Sequence, residues 1–391
     1  MKRSFLTNLL YSILAVIPIA FAAFIGSFIT AVLGGMKFYT PLTLIVAGGL
    51  AVYAVISIFD LMTRRVRGII MASFAGLCLL ATAGYEINKA YINSITVNEQ
   101  EIYLGDYTPF AENTKAVSLG QTAAYRIGDR DNLPKLDGAT ALYPLYSAFV
   151  RAVYPQDDYQ PYDYEDGIVL CSSTAEAYKR LIAGEADIIF AAAPSVSQQK
   201  AAKRAGKELQ LTPVGREAFV FFVNNHNTVD GLTTEQIKKI YSGEITNWKE
   251  AGGKNEKIRA FQRDEDSGSQ TMLEKIMEDS TLMTPPKEDV ADVMSGIISR
   301  TANYRNYQNS LGFSFLFYAS EMNGNDKIKL LAIDGVRPDK QGITSGKYPF
   351  ATEFYAVTAG SSNPNIRPFI EWIQSAEGQE LVEKTGYTSL K

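Results

Sequence analysis

Three short turns in this sequence set small and hydroxyl residues directly ahead of helix-patterned segments: Gly138-Ala139-Thr140, Ser172-Ser173-Thr174 and Ser267-Gly268-Ser269. The first turn of a helix leaves its N–H groups unpaired and carries partial positive charge, so such a start attracts an anion. Ser and Thr are also the ordinary helix N-caps, and each turn taken alone reads first as a cap. The third turn has more. Arg263 stands four residues before Ser267, and a guanidinium matches an oxyanion with a two-pronged fork of N–H donors. Gly268 allows the backbone to approach a ligand closely. Spacing alone leaves Arg263 open between that role and an ion pair with Asp264, Glu265 or Asp266. The chemistry implied is capture of a small oxyanion, with no bond made or broken.

Other chemistries find little support. Serine catalysis needs a base, and the single histidine, His226, lies in the polar run Asn224-Asn225-His226-Asn227, a solvated loop pattern away from every serine turn. The two cysteines, Cys78 and Cys171, fall in an apolar run and in the polar part of the chain, so they suggest neither a disulfide nor a zinc site. No acidic cluster has metal-ligand spacing. With a net charge of -4 and basic residues dispersed among acids, the chain lacks the stripe that nucleic-acid binding requires. We therefore expect no enzyme, no cofactor, no metal and no nucleic-acid partner.

The turns need elements to hold them. Leu142, Leu145, Phe149, Val150 and Val153 follow helical spacing, as do Ala175, Tyr178, Leu181 and Ile182 ahead of a Gly184 stop. The apolar run 187–192 and the run 219–223 suit buried strands, segments 234–241 and 270–277 suit helices, and 366–385 reads as one long amphipathic helix. Strand–helix alternation over this length predicts an α/β fold, whose ligands sit where strand ends meet helix starts.

Ahead of this lie three apolar stretches, about 6–33, 42–62 and 69–85, each near the ~17–25 residues that cross a bilayer as a helix. Two further spans after the first, and no lipobox cysteine, argue for permanent anchoring instead of a cleaved signal. Pro18 predicts a kink. Lys2 and Arg3 precede the first span and Arg64, Arg65 and Arg67 fill the second loop, against Lys37 alone in the first. The positive-inside rule then predicts a multi-pass cell-membrane protein with a cytoplasmic N-terminus and an extracellular C-terminal domain. The division expected is a membrane anchor at 1–85, a connector at 86–133 and a ligand domain at 134–391.

Five separated motifs carry a resemblance. LDGATALYPLYSAF (136–149), GREAFVFFVN (215–224), IYSGEITNWKEAGG (240–253), FQRDEDSGSQT (261–271) and FIEWIQSAEGQELVEKTGY (369–387) are similar, in order, to the phosphate-binding component of phosphate ABC importers. The resemblance implies a two-lobed periplasmic-binding-protein-like type II domain, with lobe 1 at about 134–220 and 350–391 and lobe 2 at about 221–349. It implies that Arg263, Ser267, Gly268 and Ser269 hold the anion, with Thr140 and the Ala141 N–H from the first turn. The second turn contributes within 172–174, at Ser172 or Ser173. In that family an Asp in the strand after the second helix accepts a hydrogen bond from the proton on phosphate and so rejects fully ionised sulfate. That place falls on Ala192 here, and Glu217 and Asp264 are the alternative acceptors. The function implied is capture of phosphate or a related oxyanion for an ABC permease. A sensor or regulatory subunit, or a surface interaction module that has lost its ligand, are the alternatives.

Overall fold

The computed structural model describes residues 4–98, 104–128, 130–278, 280–284, 290–291, 303–305, 307–319 and 328–390. The chain forms two compact units, Met1–Ser94 and Ile95–Lys391.

The first unit is three helices, α1 (Phe5–Val32), α2 (Tyr39–Ile58) and α3 (Arg64–Ile95), each long and apolar enough to cross a membrane. α1 runs unbroken through Pro18. Small residues let the helices approach: a Cβ on Gly26 would lie 3.1 Å from the Thr43 methyl, and one on Gly49 would strike the Phe74 ring at 2.5 Å. At one end Phe38 stacks on Tyr85 at 4.0 Å and Tyr39 donates to Glu86. At the other, Arg67 pairs with Asp60 at 3.3 Å and donates to the Ser57 carbonyl at 3.0 Å. The expected third span ends too early. α3 continues past Tyr85 because 85–95 holds no Gly or Pro to stop it.

The second unit is α/β. β1 (Thr96–Asn98) pairs antiparallel with β9 (Asn303–Arg305). The main sheet contains β2 (Leu136–Gly138), β3 (Ile188–Ala191), β4 (Gln210–Asn224), β6 (Arg259–Ala260), β10 (Ser310–Phe315) and β13 (Ala351–Thr358), ordered β2-β3-β13-β4-β10-β6, with β11 (Ile328–Leu330) also on β4. β5 (Gly231–Leu232) pairs with β12 (Ala332–Ile333), and β7 (Gln262–Arg263) with β8 (Val290–Ala291).

Two apolar cores lie along this sheet. One gathers α4 (Tyr143–Val153), α10 (Ile366–Ile373) and α11 (Ala376–Lys384) around Tyr146, Phe149, Phe190, Phe369 and Trp372, with α5 (Thr174–Ala183) and α6 (Val196–Arg204) beside it. The other gathers α7 (Thr234–Ser242), α8 (Gly268–Met277) and α9 (Lys340–Thr344) around Phe219, Phe221, Tyr241, Trp248 and Phe313. They are the two lobes. The segment 86–133, expected as a separate connector, is not one. It opens as α3, and its later residues Leu104, Leu119 and Ile127 are buried in the first lobe's core. The closing helix expected over 366–385 is two helices, because Gly378 packs so closely on the Ile373 backbone that a Cβ would lie 2.2 Å from its carbonyl oxygen.

β4 carries the chain between lobes. Val214 belongs to the first core and Ala218 to the second, while on β13 Ala351 packs against the second core and Phe354 belongs to the first. The crossing is reinforced by mutual backbone hydrogen bonds between Arg216 and Thr388, at 2.7 and 3.1 Å. Inside it sits Glu217, 6 % exposed, whose Oε1 accepts from the Phe317 N–H at 2.8 Å. Burial with one donor pushes its pKa up to about 8. Glu217 is therefore a hinge residue held neutral over most of the physiological range.

A raised folded-state pKa stabilises most below the unfolded value of 4.5, and that stabilisation is lost as pH rises through about 8. Glu217→Gln keeps an acceptor for Phe317 and removes the ionisation. Thermal unfolding between pH 5 and 8.5 should fall with pH in the wild type, by a few kcal/mol in all, and stay flatter in the variant. Parallel curves would contradict this reading of Glu217.

Candidate functional site

The first turn is set by β2 and β3. A Cβ on Gly138 would lie 2.5 Å from the Phe190 carbonyl oxygen, and the Ala139 N–H donates to that oxygen at 2.9 Å, so only glycine fits. Thr140 does not open an α-helix as expected. It begins a 3-10 turn, Thr140–Leu142, and α4 starts at Tyr143 because Pro144, which has no N–H to contribute, suits the first helical turn. Ala141 lies inside that turn, its carbonyl accepting from the Tyr387 hydroxyl at 2.7 Å.

A residue that spacing did not single out organises the second turn. Asp137 is fully buried, and its carboxylate accepts from the Gly138 N–H at 2.8 Å, the Ser172 N–H at 2.8 Å and the Ser172 hydroxyl at 2.7 Å. Arg180 Nε lies 3.2 Å away, at an angle that makes an ion pair and not a hydrogen bond. Burial holds the Asp137 pKa above its ordinary value, and Ser172, Gly138 and Arg180 offset only part of that rise. The Ser172 hydroxyl therefore spends its one proton on Asp137 and has none left for an anion. Its place is support.

Ser173 follows with φ 89° and ψ 163°, a region that side chains rarely occupy, and it makes no side-chain cap to α5. Such strain costs on the order of 1–3 kcal/mol and concentrates at functional sites. The uncapped start of α5 keeps its leading N–H groups for another partner.

The third turn follows β7, which carries Arg263. The Gln270 side chain accepts from the Arg263 N–H at 2.9 Å and donates to Gln262 at 3.2 Å, bracing β7 against α8. Ser267 caps α8 by accepting from the Gln270 N–H at 3.2 Å, so its O–H proton stays free to donate, the polarity an anion needs. Ser269 is the second residue of α8.

Gly268 lies where the lobes meet. A Cβ there would be 3.3 Å from Thr174 Oγ1 and 3.6 Å from the Ala192 Cβ. The structure thus links the second turn to the third through Thr174, and the first to the second through Asp137. Thr174, the last residue of the Ser-Ser-Thr turn, puts its hydroxyl against Gly268, although the sequence pointed to Ser172 or Ser173. Ala192 also faces the third turn, so the position matched to a discriminating acid is at the cleft and holds a methyl group. Glu217 is engaged at the hinge. His226 is exposed, with Nδ1 3.2 Å from Asn224 Oδ1, and both cysteines are free thiols. Among the described residues no three His, Cys, Asp or Glu stand together as metal ligands.

Two α/β lobes on a shared sheet, with helix starts converging on the cleft, define a solute-binding protein fold. A match to the PBP superfamily domain covers residues 131–377, and the chain belongs to that superfamily. It is 30 % identical over 180 residues to the phosphate-binding protein PstS of Bacillus subtilis, covering 46 % of this chain and 56 % of the relative. It is 28 % identical over 183 residues to PstS of Borreliella burgdorferi, covering 45 % and 64 %. The chain thus spans less than two thirds of the length of these relatives. In three dimensions it is similar to a Clostridium perfringens protein assigned as a phosphate ABC transporter substrate-binding protein and solved with bound phosphate. The TM-score is 0.50 at 23 % identity, over 66 % of this chain and 98 % of that one, a likeness of fold.

Asp137→Ala would leave Arg180 with Glu185 alone, whose Oε2 accepts at 2.9 Å, and would free Ser172. The expected loss is about 3 kcal/mol of unfolding free energy, read by denaturant titration of the detergent-solubilised chain. A loss under about 1 kcal/mol would remove Asp137 as the organiser of the second turn.

Proposed function

We propose that the unit Ile95–Lys391 is an extracytoplasmic receptor for inorganic phosphate, carried on the membrane by the three apolar helices and serving an ABC permease. The observation that carries this reading is the linkage of the three turns, Asp137 to Ser172 and Thr174 to Gly268, with Arg263 on the strand leading into the third. The PstS relatives support phosphate as the ligand. The anion's charge would be met by Arg263, by the N–H groups opening α5, α8 and the Ala141 turn, and by hydroxyls of Thr140, Thr174, Ser267 and Ser269. The strained backbone of Ser173 supports a role for the α5 start beyond capping.

Ala192 favours a broader reading in one respect. With no carboxylate there, nothing at that position repels a fully ionised sulfate, so the site is expected to separate phosphate from sulfate weakly. Arg64, Arg65 and Arg67 support a cytoplasmic α2–α3 loop, which puts the ligand unit outside.

Calorimetry of the full chain in detergent with phosphate and with sulfate tests the function. Phosphate should bind, and Arg263→Ala should weaken it by about 2–5 kcal/mol, roughly 30-fold or more. Absence of heat with every oxyanion would leave a surface module without ligand. Equal affinities would keep the site and widen the ligand to tetrahedral oxyanions generally. Orientation is read separately. A cysteine replacing Arg65, in a chain with Cys78→Ala, should react with an impermeant maleimide in cells only after permeabilisation, and labelling of intact cells would invert the topology.

A further inference from the structure

Asp266 immediately precedes Ser267 in the third turn, yet its carboxylate faces away from its own lobe. Oδ1 accepts from the Ser195 hydroxyl at 2.6 Å and from the Ser197 hydroxyl at 2.5 Å, and its backbone carbonyl accepts from Gln198 Nε2 at 3.3 Å. All three partners lie at the start of α6, in the other lobe. α6 is built to receive a negative charge. Ser195 and Gln198 form a reciprocal capping box, and the helix N-terminus is electropositive. The backbone is committed as well, since Asp266 sits at φ 65°, a left-handed conformation that Asp tolerates better than most residues. Three hydrogen bonds thus join the two lobes through the residue beside the anion turn.

We propose that Asp266 is a positioning residue that latches the lobes shut, coupling closure to the geometry of Ser267, Gly268 and Ser269. The inference rests on the phosphate-receptor reading. In the open form Asp266 and the two serines are hydrated separately, so the latch contributes only after closure. It should slow release of phosphate while leaving capture unchanged. The carboxylate's charge, which would otherwise oppose an anion next door, is directed onto donors of α6.

Asp266→Gly removes the carboxylate and accepts the same φ, and Ser197→Ala deletes one donor from an exposed position. In the full chain in detergent, stopped-flow exchange of phosphate should show release about tenfold faster for Asp266→Gly and about threefold faster for Ser197→Ala. Association and the unfolding midpoint should be unchanged. The double variant should match Asp266→Gly alone, because Asp266→Gly already removes the contact that Ser197 makes. Release within twofold of wild type, or effects that multiply, would overturn the latch. If the wild type binds no phosphate, the receptor reading fails and the latch is judged by geometry. Spin labels at Lys254→Cys and Glu371→Cys, in a chain with Cys78→Ala and Cys171→Ala, should show a longer interlobe distance in Asp266→Gly, and an unchanged distance would overturn the proposal.

Discussion

A carboxylate cannot remain ionised at zero exposure without partners, and that constraint at Asp137 orders the first two turns of the cleft. Meeting it requires the Gly138 N–H from its own strand, the N–H and hydroxyl of Ser172 from the chain entering α5, and Arg180 from the last turn of α5. Those demands hold β2 and the start of α5 at one separation. They leave Ser173 strained and turn Thr174 toward Gly268 of the opposite lobe. The parallel register of β2 on β3, with Gly138 opposite Phe190, places Asp137 where it can make these bonds.

The hinge solves the opposite problem. Glu217 has one backbone donor where Asp137 has three hydrogen bonds and an arginine, and it answers burial by holding its proton. A neutral acid at the crossing of β4 and β13 adds no charge that would favour one lobe arrangement over another. The ladder between these strands runs from Ala351 and Ala218 to Thr358 and Gln210, interrupted by an irregularity between Phe354 and Tyr355. Pro213 lies opposite Tyr355, where the missing N–H is accommodated by that irregularity.

The same proline explains part of what the sequence conceals. Thr212-Pro213-Val214-Gly215 reads as a break, so only 219–223 announces a strand, although β4 begins at Gln210. The three turns were legible as helix starts, because small and hydroxyl residues before apolar periodicity are ordinary caps, and only Arg263 beside the third pointed beyond capping. Asp137 was not, since one acid in Leu-Asp-Gly looks like a strand end and its partners Ser172 and Arg180 lie far along the chain. Asp266 was legible only as a neighbour of Arg263. Its actual partners, Ser195 and Ser197, are 71 and 69 residues away, and no spacing rule reaches them. The residues of 104–127 that complete the first core were hidden for a different reason. Leu104, Leu119 and Ile127 are isolated apolar residues among turns, with no period to reveal a buried face.

The division of labour between apolar and polar contacts fits a molecule whose lobes separate and rejoin. Within each lobe the buried contacts are aromatic and aliphatic, as where Tyr146 stacks on Phe190 or Phe219 meets Phe313. Exposing those would cost about 1.5–3 kcal/mol for each large side chain. Across the cleft Asp266 meets Ser195, Ser197 and Gln198, and Gly268 meets Thr174 and Ala192. Water can replace most of these hydrogen bonds, each worth roughly 0.5–1.5 kcal/mol net. Opening therefore exchanges these polar contacts for water, while β4 and β13 remain continuous across the hinge. A ligand that bridges the turns from both lobes needs to supply only a few kcal/mol to shift the balance toward closure.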